Sequence, residues 1–202
     1  MLDDLLEGIP RPVQSGPRLR YLTKWQAAVA WDTVRRFAPE IERQFLLGLW
    51  TGARRAEIPT INWPDFFKDQ QGRTWLRIRN MKTQTERSAP VAPRLMRCLT
   101  AWGLGHAHGP VATPRRAANT LGHDLADLVR DRPDDMPVFG EMVAHATGNG
   151  WHLLRHTFAS WAAMAGVPLR VLKEWMGHAS IQTTMIYAAI LPTTGAHLID
   201  KL

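Results

Sequence analysis

Residues 151–190 read WHLLRHTFASWAAMAGVPLRVLKEWMGHASIQTTMIYAAI. Leu154, Phe158, Trp161, Ala162 and Ala165 recur at helical spacing, which predicts a helix that Gly166 ends. Pro168 separates it from a second helix closing at Gly177, and a last helix is expected from about Ser180 through Tyr187. His152 and Arg155 stand three apart at the start of the first helix, so they share a face turned toward its N-terminus, where anions are favoured. A phosphate suits that place. An isolated H-x-x-R is also the ordinary solvated first turn of many helices.

Upstream, Thr23 and Gln26 have the spacing of a capping box ahead of a helix rich in Ala, Val and Trp. A second helix is expected from Pro39, burying Ile41, Phe45, Leu46 and Leu49 and ending near Gly52. Between Phe66 and Val91, Trp75, Arg77 and Arg79 alternate with Leu76 and Ile78 and a turn-like MKTQTE leads into Arg87–Val91, the pattern of a small antiparallel sheet. Helices resume near Leu95, and Thr113–Pro114 caps another. Residues 131–150, with Pro133, Pro137, Gly140, Gly148 and Gly150, read as a long loop. The fold class is therefore α+β: mainly α-helical with one small antiparallel sheet. Residues 1–20, with Pro10, Pro12, Gly16 and Pro17, read as a tail or interdomain linker before a folded unit at 21–202.

The 202 residues and 45% hydrophobic content suffice for a real core, which argues against overall disorder. Lys and Arg number 25 against 18 Asp and Glu, giving +7 and a pI near 10.3, a balance that suits a polyanion. Cys98 is the single cysteine, so an internal disulfide and any multi-cysteine metal site are excluded and a reducing compartment is the default. No apolar run is long enough to cross a bilayer, and the acidic start with Asp3, Asp4 and Glu7 is unlike a signal peptide.

HLLRHTFASWAAMAGVPLRVLKEWMGHASIQTTMIYA resembles the C-terminal signature of tyrosine recombinases, in which H-x-x-R, G-H and a tyrosine follow in order; here they are His152 with Arg155, Gly177–His178, and Tyr187. TGARRAEI resembles the family's T-G-x-R-x-x-E, nominating Arg54 as the first active-site arginine and Glu57 as its structural neighbour. RIRNMKTQTERSAPV resembles the family's lysine-bearing β-hairpin and places Lys82. The resemblance runs from about Arg20 to near the C-terminus. Leu153 stands where the family often has Asp, and Trp151 where a small residue or proline is common; neither change removes a group the chemistry needs. What the resemblance implies is a phage-integrase-like catalytic domain that cuts and rejoins DNA at specific sites, without cofactor or metal. Its partners would be double-stranded DNA, sister subunits in a tetramer held by the C-terminal segment, and accessory DNA-bending proteins; its place would be the cytoplasm, on the nucleoid. The family usually carries a further N-terminal domain, so this piece alone is expected to bind DNA weakly and salt-sensitively.

The residue types suit that reaction on independent grounds. A phosphodiester under attack gathers negative charge on its non-bridging oxygens, which planar guanidiniums such as Arg54 and Arg155 grip bidentately. Tyr187 can attack phosphorus and store the bond as a phosphotyrosine, and the only other tyrosine, Tyr21, lies at the start of the folded unit. From the resemblance, Lys82 protonates the leaving oxygen, His152 assists proton transfer at the tyrosine, and His178 bonds the phosphate. Arg73, Arg77, Arg79, Arg115 and Arg116 are candidates for tracking DNA phosphate. HLLRH has two histidines four apart but lacks the Glu of the zinc motif and carries an arginine that would repel a dication, so no metal is expected and His156 is read as a core histidine or one supporting Arg155. Trp31, Trp50, Trp161 and Trp175 are expected in the core. Alternatives are a catalytically silent DNA-binding module and a type IB topoisomerase-like activity.

Overall fold

The structure, a computed structural model, describes residues 21–80, 82–112 and 150–191. Arg115, Arg116, the Thr113–Pro114 cap, the loop expected before Gly150 and the tail from 192 lie outside the described residues. Helix α1 (Lys24–Phe37) begins where the spacing of Thr23 and Gln26 predicts: the Thr23 hydroxyl accepts from Gln26 N at 3.2 Å and the Gln26 side chain from Thr23 N at 2.7 Å. The second helix starts later than its proline suggested. Pro39–Ile41 form a 3₁₀ turn, Ile41 (φ −104°, ψ 4°) falls outside α geometry, and α2 runs Glu42–Thr51. Gly48 lets α2 lie close to its neighbours, since a Cβ there would stand 3.3 Å from Leu154 Cδ1 and from Ile58 Cδ1.

Strands β1 (Phe66–Lys68), β2 (Thr74–Asn80) and β3 (Thr85–Pro90) form an antiparallel sheet in that order. Leu76 pairs with Ala89 and Ile78 with Arg87, and because paired residues share a face, Arg87 points inward with the buried Leu76, Ile78 and Ala89. Arg77 and Arg79 face outward, paired with Ser88 and Glu86. The β2–β3 turn is closed by Asn80, whose Oδ1 accepts from Lys82 N and Thr83 N at 3.0 and 3.3 Å.

Helix α3 (Pro93–Trp102) packs Leu95 and Leu99 on the same core. Helix α4 (Trp151–Met164) is followed by α5 (Leu169–Met176), which stops at left-handed Gly177. The last helix is shorter than its pattern suggested: α6 covers Gln182–Met185, after which Ala188–Ile190 form a 3₁₀ turn. One core joins α1, α2, α3, the sheet and the first turns of α4, with Trp31, Trp50, Trp161 and Trp175 packed at its edge. A second gathers Phe158, Ala159, Ala163, Leu172, Met176 and Tyr187, with Ile190 and Leu191 against it, so the visible start of the tail lies on its own domain.

Thr157 fastens the start of the chain to α4: its Oγ1 accepts from Leu22 N at 2.9 Å, while Trp161 Nε1 donates to Leu22 O at 2.9 Å. Thr157→Val keeps the shape but strands a buried N–H, so urea unfolding is expected to show a loss of about 1–3 kcal/mol.

Candidate active site

A helix ends with carbonyls that lack intrahelical partners and with the negative pole of its dipole. At the end of α5 three arginines from three separate elements supply those partners. Arg87 Nε, from β3, donates to Trp175 O at 2.9 Å; Arg155, from α4, donates to Met176 O; Arg54 NH2, from the segment after α2, donates to Gly177 O at 3.0 Å. Arg155 also donates to Gly52 O at the end of α2, so one guanidinium closes two helix C-termini. Arg155 does not face the space before α4 where an anion was expected: it turns toward the ends of α2 and α5, and is 4% exposed.

Among the described residues, Glu57 is the one carboxylate bonded to these cations. Its Oε1 accepts from Arg54 NH1 at 2.9 Å and Arg87 NH1 at 2.8 Å, and its Oε2 from Arg54 N at 2.7 Å and Arg87 NH2 at 2.6 Å. Burial alone would raise its pKa, but the hydrogen bonds and charge of Arg87, and then the bonds from Arg54, outweigh burial and lower it. Three guanidiniums against one carboxylate leave the site electropositive. Burial, with Arg54 and Arg87 alongside, brings Arg155 down to about 9, which leaves it charged at neutral pH.

Arg54 and Arg87 of the cluster, but not the buried Arg155, line a cleft of about 880 Å³ together with Asn80, Thr83, Lys173 and His178, among others. Lys82 sits exposed on the turn whose Asn80 and Thr83 line this cleft. His178 Nδ1 lies 2.9 Å from Thr184 Oγ1, and burial, followed by the charges of Arg155, Arg54 and Arg87, pushes it down to about 4, so it is neutral at pH 7. His152 is exposed on the first turn of α4; partial desolvation by its neighbours, followed by the charges of Arg155, Arg54 and Arg55, lowers its pKa.

Tyr187 is 1% exposed, its ring in the second core and its Oη 2.8 Å from His156 Nδ1. Burial raises the phenol to about 12, against a downward pull from Arg155. His156, read from sequence as a support for Arg155, instead holds the tyrosine: residue 156 lies one position round the helix from 155, which turns its ring to the second core. Arg73, Arg77 and Arg79 each meet a carboxylate, Asp69 at 3.1 Å, Glu86 at 3.0 Å and Asp65 at 2.7 Å, so the outer face of the sheet is an ion-pair network and not a bare cationic stripe. Arg87 was not singled out from sequence. The signal was present: in Glu86-Arg87-Ser88-Ala89 the alternation that buries Ala89 also buries Arg87, and a charge on the inward side of a strand needs a partner.

Gly177 is held by two constraints, φ +60° and a would-be Cβ 2.7 Å from Arg87 Cδ. Gly177→Ala is therefore expected to cost about 1–3 kcal/mol on chemical denaturation, displacing Arg87 and with it the turn before His178.

The model of the phage integrase family matches residues 137–193. A tyrosine recombinase XerC of Erythrobacter litoralis is 31% identical over 197 residues, covering 93% of this chain; the chain spans 61% of that relative's length. Among solved structures, the catalytic domain of bacteriophage HP1 integrase superposes with a TM-score of 0.64 at 22% identity over 91% of this chain and 95% of that one. The Tn1549 transposon integrase, solved with a circular intermediate DNA, gives 0.64 at 19% identity over 100% of this chain and 70% of its own. The HP1 catalytic domain supplies the fold and XerC the sequence likeness, and both agree with the ordered motifs that meet at the end of α5: the chain belongs to the tyrosine recombinase, or phage integrase, family.

Proposed function

We propose that residues 21–202 are the catalytic domain of a site-specific DNA recombinase that cleaves and rejoins double-stranded DNA through a 3′-phosphotyrosyl bond to Tyr187, with residues 1–20 leading into it. The observation that carries this reading is the meeting of Arg54, Arg155 and His178 at one helix end beside a cleft. Such a cluster stabilises the charge that develops on a phosphorane, without a metal ion or cofactor. In this reading Arg54 and Arg155 clamp the non-bridging oxygens, His178 donates a hydrogen bond to one of them, and Lys82 gives a proton to the departing 5′-oxygen. His152 assists at the tyrosine. Tyr187 attacks after leaving its docked position, and the phosphotyrosine keeps the energy of the bond for rejoining.

The +7 charge and DNA-bound relatives such as the Tn1549 integrase support duplex DNA as the partner, bound through a salt-sensitive phosphate interface that includes Arg115 and Arg116. Assembly into a tetramer on DNA through the C-terminal segment, with DNA-bending accessory proteins on the nucleoid, belongs to the same proposal.

The test uses a nicked suicide duplex carrying a candidate site. The chain is expected to give an SDS-resistant protein–DNA adduct, and Tyr187→Phe none. Retardation of DNA without adduct identifies a silent binding module, and plasmid relaxation without strand exchange a topoisomerase.

A further inference from the structure

Arg87 reaches into the site from the hairpin that also carries Lys82, and protein groups engage all three of its nitrogens. Nε donates to Trp175 O at 2.9 Å, NH1 to Glu57 Oε1 at 2.8 Å and NH2 to Glu57 Oε2 at 2.6 Å. With its side chain only 8% exposed, it grips its neighbours and not a phosphate. We propose that Arg87 is a positioning residue: by clamping β3 to Glu57 and to the end of α5, it holds the Lys82 turn over the cleft, where the ammonium meets the 5′-oxygen leaving a phosphate bound at Arg54 and His178. The inference rests on the recombinase reading above and on its assignment of Lys82.

On the face of the hairpin turned to the core, Leu76 pairs with Ala89 and Ile78 with Arg87, whereas the next pair toward the tip, Asn80 with Thr85, has left the core, and Thr85 is exposed. Ile78 and Arg87 are thus the last inward residues before the turn. Packing around Ile78 is non-directional and tolerates sliding; the hydrogen bonds of Arg87, which need set distances and angles, do not. Its fit against the end of α5 is close as well, since a Cβ on Gly177 would stand 2.7 Å from Arg87 Cδ. From this anchor the turn projects so that Asn80 and Thr83 line the cleft with Arg54 and His178. Arg79, which meets Asp65 at 2.7 Å, braces β2 from the outer face, away from the site.

In cleavage the Tyr187 oxygen, its proton passed on with the help of His152, bonds to phosphorus. The phosphorus–O5′ bond breaks, its electron pair stays on O5′, and O5′ takes a proton from the Lys82 ammonium. A lysine displaced by about 1 Å loses much of that transfer, while the grip on the non-bridging oxygens is untouched. Sulfur in place of the bridging 5′-oxygen removes the need for the proton, because a thiol has a pKa of about 8.5 and leaves readily as thiolate. The two leaving groups therefore separate a misplaced lysine from a damaged clamp.

The experiment compares the full chain with Arg87→Lys and Lys82→Ala on two suicide duplexes, one with oxygen and one with sulfur at the bridging 5′ position, and reads adduct rates at saturating protein. Lysine at 87 keeps the charge beside Glu57 but, with one nitrogen for three, gives up the bond to Trp175 O. K82A is expected to be slow on oxygen and restored on sulfur. R87K should follow it, its sulfur-to-oxygen rate ratio rising at least about tenfold above that of wild type, a part of the whole general-acid effect. A smaller rise overturns the inference: equal losses on both duplexes mean that Arg87 acts on the clamp through Glu57 or on the fold, and no loss on either means that it does nothing for the lysine. If R87K does not fold, Arg87→Gln with Glu57→Gln, which replaces the ion pair by two amides, is read by the same ratio and the same threshold. A chain that folds with neither change marks Arg87 as a support of the fold and also overturns the inference. A K82A that sulfur does not restore defeats the assignment of Lys82 and this inference with it. Absence of any adduct with wild type on either duplex defeats the recombinase reading itself, a result distinct from these.

Discussion

Arg155→Lys should lower the rate of adduct formation by at least about 100-fold while leaving most of the fold intact. Arginine at this position performs two tasks that differ in geometry. Its planar fork reaches Gly52 O and Met176 O together, closing two helix ends from a buried position. In the proposed reaction the remaining N–H groups meet two phosphate oxygens. A lysine ammonium preserves the charge, but its three N–H groups diverge from one nitrogen and lack the planar, spaced fork that spans two carbonyls and a bidentate phosphate together. Stability is expected to drop by about 1–3 kcal/mol for one stranded carbonyl, far less than complete unfolding, so a band-shift assay and a urea melt beside the adduct assay separate lost chemistry from lost structure. A variant retaining more than a tenth of wild-type adduct rate contradicts the assigned role.

The second large effect concerns the counter-charge. Glu57→Gln keeps the size of the side chain but removes the one carboxylate that, among the described residues, bonds to Arg54 and Arg87, leaving guanidiniums facing one another in a buried site. Breaking such a pair from one side costs about 3–5 kcal/mol, to be read as a fall in the urea midpoint at neutral pH. The pH dependence gives an independent check. The folded pKa of Glu57 is depressed below 4.5, so its contribution is fully present above that value and is lost as the pH falls through the folded pKa. Wild type and E57Q should therefore differ most at neutral pH and converge in acid below 4.5. Parallel stability curves over the whole range contradict the ion-pair account.

Much of this architecture is legible in the amino-acid order, and the exceptions have physical reasons. The capping box at Thr23, the alternation in β2 and the glycines at 52 and 177 are local signals, and local structure obeyed them. Helix onset at Pro39 misled because proline is equally at home in the 3₁₀ turn that precedes α2. The shortness of α6 comes from the 3₁₀ turn that follows it and the docking of Tyr187 in the second core, which periodicity does not report. Arg54 and Arg155 were found by motif; that they converge on the carbonyls of α5 is a tertiary fact. Arg87 and His156 were missed or misassigned for the same reason: their partners, Glu57 and Tyr187, are 30 and 31 residues away. The arginines of the outer sheet face read as a DNA stripe because their acidic partners, Asp65, Asp69 and Glu86, lie on neighbouring turns and strands.

The central claim is that these guanidiniums and imidazoles serve a phenol that attacks DNA, and mass spectrometry of the linked peptide tests it most directly. After incubation with a suicide duplex and digestion, the nucleotide should be found on the tryptic peptide containing Tyr187, attached through its 3′-phosphate. A nucleotide on Tyr21, on a serine or on a histidine, or a 5′-phosphate linkage at Tyr187, contradicts the account.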